Sequence, residues 1–260
     1  MSSDLFSVKG KTALVTGGTR GIGYMIAEGL LKAGARVYIS SRKESACIEA
    51  QKSLAEFGDV HAVPCDVSTE ESCAALVAAY AAQEDALNIL INNAGATWGT
   101  AFDDFPDAAW DKVLAVNVKA PFTLTKLARP LLEKGSSASD PARVINIGSI
   151  DGLSVPEFGN YSYSASKAAV HHLTRHMAAT LAPSILVNAI APGPFPSKMT
   201  AGPLEAKGDQ IRAASPVNRI GEPDDIAAAA IYLSSRATNF VTGAVIPLDG
   251  GLSTTLGIKV

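Results

Sequence analysis

Ala13-Leu14-Val15-Thr16-Gly17-Gly18-Thr19-Arg20-Gly21-Ile22-Gly23 is the stretch whose reading decides the fold. Ala13, Leu14 and Val15 have the continuous apolar character of a buried strand, and Ile22, Met25, Ile26, Leu30 and Leu31 recur at helical spacing. Between them, Gly17, Gly21 and Gly23 let the backbone bend tightly and let a ligand come close to it. The helix that follows offers unpaired N–H groups and the positive end of its dipole to a pyrophosphate. The stretch therefore predicts the first unit of a dinucleotide-binding fold. Its spacing is Gly-x-x-x-Gly-x-Gly, not Gly-x-Gly-x-x-Gly, so the glycines taken alone would also suit a plain strand-to-helix turn.

Strands and helices go on alternating downstream. Residues 36–40 read as a second strand, entered through Gly34 as a helix stop, and residues 60–65 as a third, with a helix over roughly 46–57 between them. Ser68 and Glu71 form a capping-box pattern for a helix containing Cys73, Leu76, Val77 and Tyr80. Asn88-Ile89-Leu90-Ile91-Asn92-Asn93-Ala94-Gly95 reads as a short strand buried on both faces, closed by residues small enough to leave room for a flat ring. Residues 109–132 carry a helical pattern interrupted at Pro121 with the polar Asn117 inside it, which predicts a bend or register shift.

Residues 143–147 form the next strand and deliver Ser149 at its C-terminal end, and residues 162–181 read as a helix. A strand over 186–190 ends at Pro192-Gly193-Pro194, a helix over 224–233 is capped by Glu222-Pro223-Asp224, and residues 241–247 give a last strand. Gly202, Pro203, Gly208 and Pro216 break the segment 195–217 into short helical pieces, the natural candidate for a substrate lid. About seven strands alternating with helices predict an α/β fold. It is one Rossmann-type doubly wound parallel sheet over residues 1–260, with helices on both faces.

Bulk properties narrow the function. A chain of 260 residues buries about three quarters of its extended surface in one core. A net charge of −3 with no basic block excludes nucleic acid as a partner. The N-terminus lacks the basic and long apolar parts of a secretory signal, and no apolar run reaches the ~20 residues needed to span a bilayer, so a soluble cytoplasmic protein without membrane insertion is expected. Cys47, Cys65 and Cys73 are odd in number and lack metal-ligand spacing, and His172 and His176 have no nearby third ligand, so no metal is expected. The charged fraction of 18% is below the usual value of roughly 25%, which points to subunit contacts and a homo-oligomer.

The chemistry lies in Tyr163 and Lys167, which stand one helical turn apart and share a face. A tyrosine titrates near pH 10, so acid–base work near neutrality benefits from a neighbouring cation that stabilises the phenolate. Ser149, arriving from a strand end, could polarise the same carbonyl oxygen. Taken alone a Tyr-x-x-x-Lys pair is far more often a surface contact. Its meaning changes in company with Thr16-Gly17-x-x-x-Gly21-x-Gly23, Asn92-Asn93-Ala94-Gly95, Asn117, Ser149, Pro192-Gly193 and Asp249-Gly250-Gly251.

With these motifs the chain resembles the short-chain dehydrogenase/reductase family over essentially its full length. The segment Pro194-Phe195-Pro196-Ser197-Lys198-Met199-Thr200 and the Tyr161-Ser162-Tyr163 context look nearest the 3-oxoacyl-reductase-like branch, which includes the reductase linked to rhamnolipid synthesis. The resemblance implies that Tyr163 is the general acid–base, that Ser149 orients the substrate oxygen, that Lys167 contacts the nicotinamide ribose and lowers the tyrosine pKa, and that Asn117 holds a water of the proton relay. It places Gly17, Thr19, Arg20, Gly21, Ile22 and Gly23 around the cofactor phosphates, Asp66 and Val67 around adenine, and Asn93, Ala94 and Gly95 along the cleft. Tyr163, Lys167, Pro192, Gly193, Phe195 and Ser197 fall on the nicotinamide side. It also implies a tetramer. Tyr161 is out of register with Lys167 and is assigned to the loop or pocket wall.

The interval from Ser149 to Tyr163 is one residue longer than is common in the family, and Ser197 stands where threonine is more usual. Ser41 followed by Arg42 and Lys43 occupies the place where an acidic residue would select NAD, so NADP(H) is the expected cofactor. The leading expectation is NADPH-dependent reduction of a ketone to a secondary alcohol, with a 3-oxoacyl compound as the candidate substrate. An alcohol, polyol or steroid dehydrogenase working oxidatively and a non-catalytic cofactor-binding regulator are the alternatives. Trp98, Leu153, Phe158, Phe195, Met199 and Leu204 are candidates for an apolar wall around a small carbonyl or alcohol substrate.

Overall fold

Strands β1 (Thr12–Thr16), β2 (Arg36–Ser41), β3 (Val60–Pro64), β4 (Ile89–Asn92), β5 (Ala142–Ile147), β6 (Ile185–Pro192) and β7 (Val245–Leu248) form one sheet in the order β3-β2-β1-β4-β5-β6-β7. Every pairing is parallel. The computed structural model describes residues 3–156, 159–197 and 200–254. Helices α1 (Gly21–Lys32), α2 (Glu44–Leu54), α3 (Glu70–Ala81), α4 (Asp107–Leu114), α5 (Ala120–Lys134), α6 (Tyr161–Leu181), α7 (Ala201–Ala214) and α8 (Pro223–Ser234) complete the chain.

Strand periodicity splits the core into two layers. Val15, Val37, Ile39, Ile89, Ile91 and Ile145 face one side, packed with Ile26 and Leu30 of α1, Leu54 of α2 and Ile226 and Leu233 of α8. Their neighbours Leu14, Tyr38, Leu90 and Val144 face the other side, packed with Leu76 and Tyr80 of α3, Leu124 and Ala128 of α5 and Met177 of α6. From β1 the chain builds outward through β2 and β3, then returns to place β4 on the opposite side of β1. The crevice at this switch lies beyond the C-terminal ends of β1 and β4, where an open sheet of this kind collects ligands.

The doubly wound sheet is as the sequence predicts, with differences at element ends. Thr69, not Ser68, caps α3, its hydroxyl accepting from the Ser72 N–H at 3.2 Å. At the start of α8 the acidic cap is a complete capping box between Glu222 and Asp225. Strand β7 begins only at Val245, because Gly243, at φ 75°, turns the chain after its N–H has bonded to the Val187 carbonyl. The break in the long helix is a π-helical turn over Ala115–Lys119 that joins α4 to α5. Pro121 has no N–H to return to the Asn117 carbonyl, so the regular ladder lapses there and the wider turn is accommodated. The segment read as short helical pieces is one helix, α7, kinked at Lys207 where φ is −137°. Among the described residues no helix is long and apolar enough to cross a membrane.

Candidate active site

The glycine turn is shaped by what lies across the switch. Gly17 and Gly21 have φ of 65° and 54°, a region that residues with a Cβ avoid. A Cβ on Gly17 would sit 2.9 Å from Asn93 Nδ2, and one on Gly23 would overlap the same amide and the Gly17 carbonyl. Asn93 occupies that space, its Nδ2 donating to the carbonyls of Thr16 at 2.9 Å and Gly17 at 3.2 Å. The Thr16 hydroxyl accepts from the backbone N–H groups of Asn93 and Ala94, both at 3.0 Å. Arg20 caps α1 with its backbone extended and makes no side-chain cap bond, so the first N–H groups of α1 keep their place for an anion.

Ser41 closes β2 with Arg42 and Lys43 exposed behind it. Arg20 is exposed too, and none of the three cations makes an ion pair among the described residues. Asp66 folds back to accept from the Ser68 N–H at 3.1 Å, and Val67 is buried against the second core layer. A glycine cradle, an open helix N-terminus and uncommitted cations at the end of β2 are a donor set that fits a dinucleotide with a phosphorylated ribose.

The reacting groups converge from β5 and α6. Gly148 and Gly152 let the Ser149 turn lie flat on α6, since a Cβ on Gly148 would overlap the His171 ring and one on Gly152 would stand 2.6 Å from the Lys167 carbonyl carbon. Ser149 Oγ accepts from the Asp151 N–H at 3.1 Å and bears on the Tyr163 phenol, favouring its ionised form. Lys167 is buried, its Nζ donating to the Ile147 carbonyl at 2.7 Å and lying 5.4 Å from the centre of the Tyr163 ring.

Burial dominates the electrostatics. It pushes Tyr163 up to about 12, with the charge of Asp151 adding to the rise and Ser149 opposing it. It pushes Lys167 down to about 8 against the opposing pull of Asp151, and it takes His171, one turn further along, down to about 4. For Tyr163 the direction is set first by burial. With the phenol pushed up, Tyr163 carries its proton near neutrality.

Asn117 is buried in the π-turn, where its side chain is fully engaged. Its Oδ1 accepts from the Ala96 N–H at 2.8 Å, and its Nδ2 donates to the Ala96 carbonyl and to Ser166 Oγ, both at 2.9 Å. Ser166 Oγ in turn donates to the Tyr163 carbonyl at 2.6 Å. Ser166 is a site residue that sequence reasoning missed, because nothing in its spacing marks it as the partner of a residue far upstream. Asp151 and Asn160 were missed for the same reason.

Phe195 is not a free pocket wall. Its side chain is 2% exposed and packs in the first core layer, its ring filling the space above Gly221. The cavity that it lines with Pro194, Val217, Arg219 and Leu248 includes none of Ser149, Tyr163 or Lys167. Ser197 does meet the cofactor turn, since a Cβ on Gly21 would stand 3.2 Å from Ser197 Cβ, and its hydroxyl is held by Thr200 Oγ1 at 3.0 Å. Tyr161 opens α6 instead of lying in the loop, and its ring makes edge contacts with Phe102 and Phe105. Trp98 and Leu153 stay exposed, whereas Phe158, Lys198, Met199 and the Leu204 side chain lie outside the described residues.

A family model described as enoyl-(acyl carrier protein) reductase matches residues 17–253. A rhamnolipids biosynthesis 3-oxoacyl-[acyl-carrier-protein] reductase of Pseudomonas aeruginosa is 46% identical over 251 residues, covering 95% of this chain and 97% of the relative. The solved RhlG/NADP active-site complex of the same organism superimposes with a TM-score of 0.93 at 44% identity, over 97% of this chain and 100% of that one. A gluconate 5-dehydrogenase of Burkholderia cenocepacia in complex with NADP and tartrate superimposes with a TM-score of 0.89 at 31% identity, over 97% and 99%.

Replacing Gly23 by alanine drives a methyl group into Asn93 and Gly17. Gly23→Ala is expected to weaken NADPH binding at least ten-fold in a fluorescence titration while the far-ultraviolet circular dichroism is kept. Unchanged affinity would show that the cradle yields.

Proposed function

We propose that this chain, which belongs to the short-chain dehydrogenase/reductase family, reduces a ketone to a secondary alcohol with NADPH, Tyr163 being the proton donor. The observation that carries the reading is the meeting of Ser149, Tyr163 and Lys167 at the sheet edge that also carries the glycine turn, with the phenol protonated near neutrality. NADPH, when bound, supplies the hydride that adds to the carbonyl carbon. The carbonyl oxygen takes its proton from Tyr163 Oη and a hydrogen bond from the Ser149 hydroxyl, which stabilises the charge that grows there. Lys167 supplies positive potential under the Tyr163 ring and stabilises the phenolate left once the proton has moved to the substrate oxygen. The amide of Asn117 is spent on Ala96 and Ser166, so any part that Asn117 plays in proton transfer runs through its main chain.

The glycine turn and the N-terminus of α1 would hold the pyrophosphate, with Arg20, Ser41 and Arg42 on the ribose phosphate. Gly95, Pro192 and Gly193 border the nicotinamide side. Segment 195–217 is read as the lid, and Ser197 packs it against Gly21 of the turn that would hold the cofactor. A 3-oxoacyl substrate is the leading class, by analogy with the name of the Pseudomonas aeruginosa relative. Exposed Trp98 and Leu153 suit its apolar part, where each buried methylene contributes about 0.8 kcal/mol. Homotetramer formation is proposed from the half-exposed outer strand β7 and the exposed Leu114, Phe122 and Phe240.

Tyr163→Phe keeps the ring and removes the proton, so kcat should fall about 100-fold or more with NADPH affinity unchanged, whereas Tyr161→Phe should cost little. Equal losses in the two variants would refute the assignment. For cofactor choice, kcat/KM with NADPH should exceed that with NADH by about ten-fold or more, and Arg42→Ala should narrow the gap, charge-assisted hydrogen bonds contributing roughly 1.5–3 kcal/mol. An NADH preference would overturn it. Light scattering at micromolar protein should return a tetramer mass, and a persistent monomer would reject oligomerisation.

A further inference from the structure

Asp151 joins two parts of the site that the chain keeps apart. Its backbone N–H donates to Ser149 Oγ at 3.1 Å, and its Oδ2 accepts from Asn160 Nδ2 at 2.8 Å. Asn160 is the residue before α6, and its Oδ1 accepts from Ser164 Oγ at 2.7 Å while its carbonyl accepts from the Ser164 N–H at 3.0 Å. A continuous set of bonds therefore runs from the Ser149 turn, through one carboxylate, to the first turn of the helix that carries Tyr163. It bridges the stretch in which the Ser149–Tyr163 interval is one residue longer than usual.

The same carboxylate is the one acidic group among the described residues that bears on both Tyr163 and Lys167. His171 and Arg175 follow on the same helix, α6. Burial holds His171 neutral, and Lys167 and Arg175 both bear on it in the same direction. Burial pushes the Asp151 carboxyl up, and Asn160 and Lys167 pull it back.

We infer that Asp151 is a positioning residue of the reductase site, tying Ser149 to the helix of Tyr163 through Asn160 and setting the charge felt by the Tyr163–Lys167 pair. The inference rests on the reading of Tyr163 as proton donor. Tie and charge are separable. Asp151→Asn keeps an acceptor for Asn160 and removes the charge, Asn160→Ala cuts the tie and keeps the charge, and Asp151→Ala loses both.

Loss of one negative charge favours deprotonation of both Lys167 and Tyr163, so proton release from the pair moves to lower pH. In Asp151→Asn the alkaline limb of ketone reduction should move down by about half a pH unit or more. The tyrosinate signal near 295 nm of the cofactor-free protein, after subtraction of Tyr163→Phe, should move the same way. In Asn160→Ala, kcat should fall about ten-fold without that shift. Asp151→Ala should show both effects. NADPH affinity should stay within about two-fold throughout.

The probe is ethyl 3-oxohexanoate with NADPH, alongside the tyrosinate titration, which needs no substrate. Asp151→Asn and Asn160→Ala curves that superimpose on the wild type would overturn the inference, as would a loss confined to NADPH binding or melting temperature. If Tyr163→Phe abolishes turnover while the Asp151 and Asn160 variants behave as wild type, only this inference fails. If Tyr163→Phe keeps full turnover, the proposed mechanism fails and the inference with it.

Discussion

The structure depends on how the chain ends two neighbouring strands without leaving their backbone groups unpaired. Strands β1 and β4 pair in register from Ala13 with Ile89 to Val15 with Ile91, and beyond that they diverge. Divergence opens the crevice, but it also strands the N–H groups of Asn93 and Ala94, and a buried donor without a partner costs about 1–3 kcal/mol. The Thr16 hydroxyl takes both, and it donates to the Ile91 carbonyl at 3.3 Å. The Asn93 amide closes the other half by bonding the carbonyls of Thr16 and Gly17. Side chains do the stitching that the ladder would have done, so the N-terminus of α1 stays open. The absence of side chains at Gly17 and Gly23 follows from this, because Asn93 fills their place.

A second buried network holds the deeper part of the crevice. Asn92 Nδ2 donates to Asn146 Oδ1 at 2.9 Å, and Asn146 Nδ2 donates to Thr174 Oγ1 at 2.9 Å. This chain runs across β4 and β5 to α6, so the strand that delivers Ser149 and the helix that delivers Tyr163 share one set of directed bonds. Directional bonds fix register more tightly than apolar contact alone, and placement to a fraction of an ångström is what proton transfer requires. The asparagines near the strand ends therefore act on geometry, at a distance from the reacting atoms.

Much of this was legible in the sequence, and what was not is physically coherent. Residues such as Val15, Ile39 and Ile91 on one face, with Leu14, Tyr38 and Leu90 on the other, declare a two-sided parallel sheet by local pattern. Motif spacing marked Tyr163, Lys167 and Ser149. The π-turn was visible only as an irregularity at Asn117 and Pro121, since its form is set by the reach of Asn117 to Ala96 and Ser166. Phe195 looked like a pocket wall because an aromatic after Pro192-Gly193 has no local sign that Gly221 will leave a socket for it. Kinked α7 was hidden by its own Gly and Pro residues, whose low helix propensity is outweighed in the folded chain.

The charge state of the site follows from burial more than from pairing. Lys167, Tyr163 and His171 lie at successive turns of α6, and desolvation drives all three toward their neutral forms. A cation close to a phenol would usually be read as a device for making phenolate. Here the ammonium is held by the Ile147 carbonyl, which stabilises it without neutralising its charge, and it is itself close to losing its proton. With the phenol pushed up to about 12 and the ammonium down to about 8, the ammonium is the first of the two to release its proton as pH rises. Burial therefore holds the phenol in its protonated form, and the proposed part of Tyr163 as proton donor rests on that form.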